Sequence, residues 1–172
     1  MARLLNFQMV EDYMKSLQQK NVDLEDFVGT SVTELANKLS RAGGLKSPFL
    51  LLYKVSSILS GNDQRTFNTR KISFVVGFAG VNVDDYEQIK TKKATAEAIG
   101  LEILSRINYD SKKPETEWLY NKFLKDSIEY EDYQDEEVEG LVGMDFSFEI
   151  KVPEPLVATP NKWSDSDAIC SG

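Results

Sequence analysis

The chain has 172 residues, with 20 basic against 28 acidic side chains, no histidine and a formal charge of −8. That length and a hydrophobic content of 41% suit one domain with a real core and exclude global disorder. The missing histidine removes Ser-His-Asp and Cys-His catalysis, histidine general bases and the iron facial triad, while the lone Cys170 excludes a disulfide framework or a Cys/His zinc site.

In chain order, Phe7, Val10, Met14 and Leu17 recur at helical spacing and predict a short amphipathic helix over residues 6–19. A second helix starts at Ser31 with Glu34 in the S-x-x-E pattern, carries an apolar stripe of Val32, Leu35, Ala36 and Leu39, and stops at Gly43-Gly44. The period then changes to 2. Phe49 to Leu59 reads as a buried strand, and Lys71 to Ala79 as a second, with Ile72, Phe74, Val76 and Phe78 on one face. The small residues Ser73, Gly77 and Ala79 opposite them suit close approach by another backbone. Residues 60–70 are polar and predict a long loop joining the two strands as an antiparallel hairpin. Asp84 and Asp85 open the strongest helix, 84–107, with Ile89, Ala96, Ile99, Ile103, Leu104 and Ile107 as its stripe. Leu124, Ile128 and Tyr130 begin another strand, whose alternation Asp126 breaks. Met144, Phe146, Phe148, Ile150 and Val152 then alternate cleanly with Asp145, Ser147, Glu149 and Lys151, the pattern of a half-buried antiparallel strand. The expected order is α-α-β-β-α-β-β. It implies an α+β domain over residues 1–153, an antiparallel or mixed sheet of about four strands in two hairpins, with the helices packed on one face. Residues 154–172 contain Pro155 and Pro160 and read as an extended tail outside the core. No leader-like apolar segment opens the chain, and its longest apolar run, Phe49–Tyr53, is far below the roughly 18 residues that cross a bilayer, so a soluble protein is expected.

The charge is concentrated. Asp126, Glu129, Glu131, Asp132, Asp135, Glu136, Glu137 and Glu139 form a stretch without Lys or Arg, and these eight account for the whole net charge. Their consecutive placement lacks the EF-hand spacing and does not bring carboxylates together from separate rigid elements, as two-metal hydrolysis needs. The readings left are a solvated hairpin loop or a partner-facing acidic surface. Lys90, Lys92 and Lys93 on the long helix, with Lys112 and Lys113 beyond its end, read as a solvated face or as partners for the acidic loop of a neighbouring subunit. Gly77-Phe78-Ala79-Gly80 lacks both phosphate-loop patterns, so no nucleotide or other cofactor is called for. Trp118 and Tyr120 suit a docking corner of the core. Trp163, alone in the polar tail, either folds back or docks on a neighbour as an aromatic anchor.

The succession of helical segment, strand 49–59, polar loop, strand 70–80, helix 84–107 and a final hairpin ending in 144–152 resembles the tail-terminator and tail-completion proteins of tailed bacteriophages. The resemblance covers residues 30–153 in element order. It implies a structural, non-enzymatic subunit that assembles into a hexameric or dodecameric ring at the head–tail neck of the virion, built in the host bacterial cytoplasm. Its partners would be copies of itself and neighbouring neck or tail proteins, with DNA only as passing cargo and no membrane. On that reading Glu129, Glu131, Asp132, Asp135, Glu136, Glu137, Lys90, Lys93 and Trp163 are interface candidates, and an acidic loop lining the lumen would repel passing DNA. Two other classes compete: a non-catalytic adaptor that docks a basic partner through residues 126–139, and a carboxylate-dependent hydrolase stabilised by Mg²⁺ or Mn²⁺.

Overall fold

The structure is a computed structural model that describes residues 5–41, 44–62, 65–134, 138, 140–156, 162 and 164. Three helices and five strands follow one another as α1 (Phe7–Lys20), β1 (Asp26–Val28), α2 (Val32–Ser40), β2 (Phe49–Asn62), β3 (Arg65–Phe78), α3 (Tyr86–Asp110), β4 (Phe123–Gln134) and β5 (Val142–Pro153). The strands form one mixed sheet in the order β1-β2-β3-β5-β4, with β1 parallel to β2 and every other pair antiparallel. The α+β class, the mixed sheet and the long helix agree with the sequence; among the described residues the sheet has five strands against the expected four or so. The extra strand, β1, has only three residues, too few to show a period, and is defined by its pairing of Phe27 with Leu50.

The helices start where capping chemistry places them. Asn6 accepts the Met9 N–H at 2.9 Å, Ser31 Oγ accepts the Glu34 N–H at 3.3 Å, and Asp85 accepts the Gln88 N–H at 3.0 Å. Glu34 does not close the reciprocal half of a capping box, because its carboxylate accepts from Gly29 instead. α1 buries Val10, Met14 and Leu17, but Phe7 stays largely exposed, one turn short of the core. α3 buries Ala96, Ile99, Gly100, Ile103, Leu104 and Ile107 against the sheet. It comes close because residue 100 has no side chain: a Cβ there would lie 2.1 Å from the Phe146 ring. That ring stacks on Phe74 at 5.2 Å and on Tyr130 at 5.6 Å between centroids.

The expectation that all helices lie on one face is corrected. α1 and α3 cover one side, whereas Leu35 and Leu39 of α2 pack on the other, over Val28, Phe49, Leu51 and Val75. Each strand near β1 is therefore buried on both faces, which explains why Phe49–Leu52 is continuously apolar. The small residues opposite Phe74 and Val76 serve this second layer. The Phe49 ring lies over Gly77, where a Cβ would come within 2.5 Å of it.

The long polar loop expected at 60–70 is also corrected. β2 and β3 remain paired to Asn62 and Arg65, so those residues are strand. They read as loop because the outer half of β2 is exposed on both faces and needs no apolar alternation. The break in pattern at Asp126 is a bulge: the β4–β5 register shifts between Leu124 and Glu129, and Ser127 fills the gap, its hydroxyl accepting the Glu149 N–H at 2.8 Å. At the far end, Pro153 still pairs with Phe67, and the buried Glu154 donates its N–H to the Thr66 carbonyl at 2.9 Å. Ordered pairing thus runs one residue past the predicted tail boundary. No helix is long and apolar enough to cross a membrane among the described residues.

Candidate functional site on the open sheet face

Past the edge of α2, no described residue covers the second face of the sheet. Residues of β2, β3, β5 and β4 line a groove of about 410 Å³ there: Tyr53, Lys54, Ser56, Lys71, Ser73, Glu129, Tyr130, Glu131, Asp145 and Ser147. Strand order makes it. Ser73 sits beside Ser147, and Asp145 beside Glu131, only because β3 and β4 flank β5. The β2–β3 register shift between Leu52 and Lys54 leaves Tyr53 as the extra residue, so its ring turns into the groove.

Two pairings organise the groove. The Tyr53 hydroxyl donates to Asp145 Oδ2 at 2.5 Å, and Lys71 Nζ meets Glu129 Oε2 at 2.5 Å, with Ser147 Oγ donating to the same oxygen at 3.4 Å. Burial, reinforced by the bond to Asp145, pushes the Tyr53 hydroxyl up to about 12. The bond to Glu129 holds Lys71 above the usual lysine value, and the same contact holds Glu129 below the usual carboxylate range. Each shift fixes the group in the protonation state it already has at neutral pH and so opposes proton transfer. Asp145 differs. Burial raises its carboxyl despite the Tyr53 bond, and its Oδ1 is buried without a hydrogen-bond partner among the described residues.

A second polar cluster ties α1 to the end of α3. Asp110 is buried and accepts from Tyr13 at 3.1 Å and from Arg106 Nε at 3.0 and 3.1 Å, with Lys113 at 3.9 Å. Burial raises the Tyr13 hydroxyl, with Asp110 adding to the effect. Trp118 stacks edge-on against Tyr13 at 5.2 Å, the corner role expected from the sequence. The cluster is internally satisfied and acts as a clamp.

The interface candidates separate. Glu129, Glu131 and Asp132 lie on β4, the strand that Leu124, Ile128 and Tyr130 announce. The structure brings Glu129 and Glu131 into the groove and sends Asp132 to the other face, where Lys93 of α3 pairs with it at 2.7 Å. Lys90 pairs with Glu87 of its own helix at 3.0 Å. Both helix lysines therefore have partners within the chain, where the sequence had left a solvated face or a neighbour's acidic loop as the alternatives. Asp135, Glu136, Glu137 and Trp163 lie outside the described residues. Tyr53, Lys71 and Asp145 were missed as site residues. Their signal was the polar alternation of two strands, which says which face is wet but not which strands are neighbours. No protein-family model matches this chain, and no curated protein matches it in sequence.

Proposed function

We propose that the chain is a structural, non-enzymatic subunit that assembles into a closed ring, hexameric or dodecameric, at the neck of a tailed-phage virion, as a tail terminator or head–tail joining protein. The observation that supports this most is the sheet itself. The hairpins β2–β3 and β4–β5 join in one sheet with α3 crossing its face, the succession on which the resemblance rests, and among the described residues strand edges stay open at both sides. The groove adds weight, since burial and Asp145 hold Tyr53, and Lys71 and Glu129 hold each other, in their resting protonation states, which suits a scaffold better than a reaction centre. The neighbours would be further neck and tail proteins, with DNA passing through the lumen and the assembly forming in the host cytoplasm.

Native mass spectrometry and negative-stain imaging across a concentration series test the reading. Closed rings of one stoichiometry are expected, without stabilisation by Mg²⁺, Mn²⁺ or nucleotides. The adaptor reading predicts instead a monomer that binds a basic partner with steep salt dependence. It is weakened by the pairing of Glu129 and Asp132 within the chain.

A further inference from the structure

β2 is fourteen residues long, but β1 covers only Phe49, Leu50 and Leu51 of its outer side. Among the described residues, Leu52 to Gly61 have β3 as their one neighbouring strand, leaving a ten-residue strand edge. Natural edges are blunted by charge, proline, bulges or shortness. The β4 edge follows that rule, with Asp126, Glu129, Glu131 and Asp132 and a bulge at 125–128. The outer half of β2 does not. Val55 to Asn62 reads Val-Ser-Ser-Ile-Leu-Ser-Gly-Asn, eight residues without a charge or proline. Two large apolar side chains stand in the middle of it, Ile58 at 70% and Leu59 at 50% exposure.

We propose that this edge pairs antiparallel with the same edge of a second copy, about a two-fold axis at Ser57 or Ile58, joining two sheets into one of ten strands. The self-match is what selects a second copy. Opposed residues in an antiparallel pair must share a face, so the axis falls on a residue rather than between two. Centred on Ser57, each Leu59 meets the other chain's Val55 and Lys54 meets Ser60. Centred on Ile58, the two isoleucines meet each other and Lys54 meets Asn62. Neither register opposes like charges. A β4 self-pair about Tyr130 would set Glu129 against Glu131 twice, which is repulsive. A β2–β4 contact would have only the six regular residues beyond the bulge, Glu129–Gln134, to pair with. The contact is isologous and closes at two, so it stands independently of a head-to-tail ring.

Sedimentation velocity of the full chain from about 1 µM to about 500 µM covers the affinities expected of a small strand-edge interface. A reversible dimer is expected, or an even-numbered assembly if a ring also forms. Ile58→Lys sets two cations near the axis and is expected to raise the dissociation constant about tenfold or more, with an unchanged melting temperature for this exposed site. In a Cys170→Ser background, mild oxidation is expected to cross-link Ser57→Cys or Ile58→Cys, whichever lies on the axis. A wild-type monomer throughout the range overturns the proposal. So does a dimer unmoved by Ile58→Lys, or failure of both cysteines to cross-link. Loss of dimer in Glu131→Lys rather than Ile58→Lys would overturn it in favour of a β4 contact. Rings indifferent to Ile58→Lys would sink this contact and leave the ring reading standing; a dimer abolished by Ile58→Lys with no ring at any concentration would do the reverse.

Discussion

Among the described residues, the sheet buries a continuous cluster of twenty-four on the side of α1 and α3, with the stacked rings of Phe74 and Phe146 in it. On the side of α2 the buried cluster has six described residues, around Phe49 and Val75, and the remaining described face is polar. Apolar burial contributes roughly 25 cal/mol per Å², so the first face carries most of the stability, and the second leaves a polar surface exposed. The same strands serve both purposes because their side chains alternate. Phe146 and Asp145 are consecutive, yet one lies at the centre of the core and the other on the floor of the groove.

The largest test of that contrast compares a deletion on each face. Phe146→Ala is expected to cost about 3–5 kcal/mol in chemical denaturation, against about 2 kcal/mol for Leu51→Ala, which borders an apolar groove of about 530 Å³ beneath α2 and can relax into it. Equal losses would break the comparison. Gly100→Ala comes next. The gain in helix propensity is about 1 kcal/mol, but the new methyl must displace the Phe146 ring, an overpacking cost of about 1–3 kcal/mol. A net loss of about 1 kcal/mol is expected by thermal denaturation; a rise in melting temperature would mean that α3 has slack.

On the polar face the effects are smaller and depend on pH. The folded state raises the Asp145 carboxyl, so folding binds that proton more tightly than the unfolded chain does. The ionised group therefore weakens the fold at neutral pH, and the penalty fades as pH falls through the raised value. Asp145→Asn keeps an acceptor for Tyr53 and is expected to stabilise by up to about 1 kcal/mol at pH 7. The advantage should close as pH approaches the ordinary aspartate value of about 3.9. A destabilised variant at neutral pH would show that the charge itself is needed. Glu129 has the opposite sign: its lowered carboxyl stabilises above the ordinary glutamate range and loses that contribution as pH falls through the folded value. The Lys71 pair is exposed to solvent, so Glu129→Gln should have the smallest effect of the set, seen at low salt and erased at high salt.

The helix-covered face was readable because its patterns are long. The stripe of α3 and the alternation of β5 each run for three or more periods, and both elements fall within a few residues of expectation. The other face was not. Lys38 bonds Asp26 at 2.7 Å and thereby fastens α2 to β1 on the side opposite the other helices, a contact that the helix's own spacing does not announce. Nothing periodic in Asp26-Phe27-Val28 announces a strand. The groove combines Tyr53, Lys71, Glu129 and Asp145 from four strands, and their adjacency depends on β5 inserting between β3 and β4, a long-range choice that local spacing does not encode.

That insertion also governs how the chain is made. β3 meets β2 across a two-residue connection, but its other edge waits for β5, and about 64 residues separate Phe78 from Val142. At roughly 5–20 residues per second, a nascent hairpin would stand open for about 3–13 seconds with Phe74 and Val76 on an unshielded ladder. In that interval the growing chain is at its most vulnerable to sticking to its neighbours. The rate at which Val142–Pro153 emerges and docks would then set how much of the product escapes aggregation during synthesis.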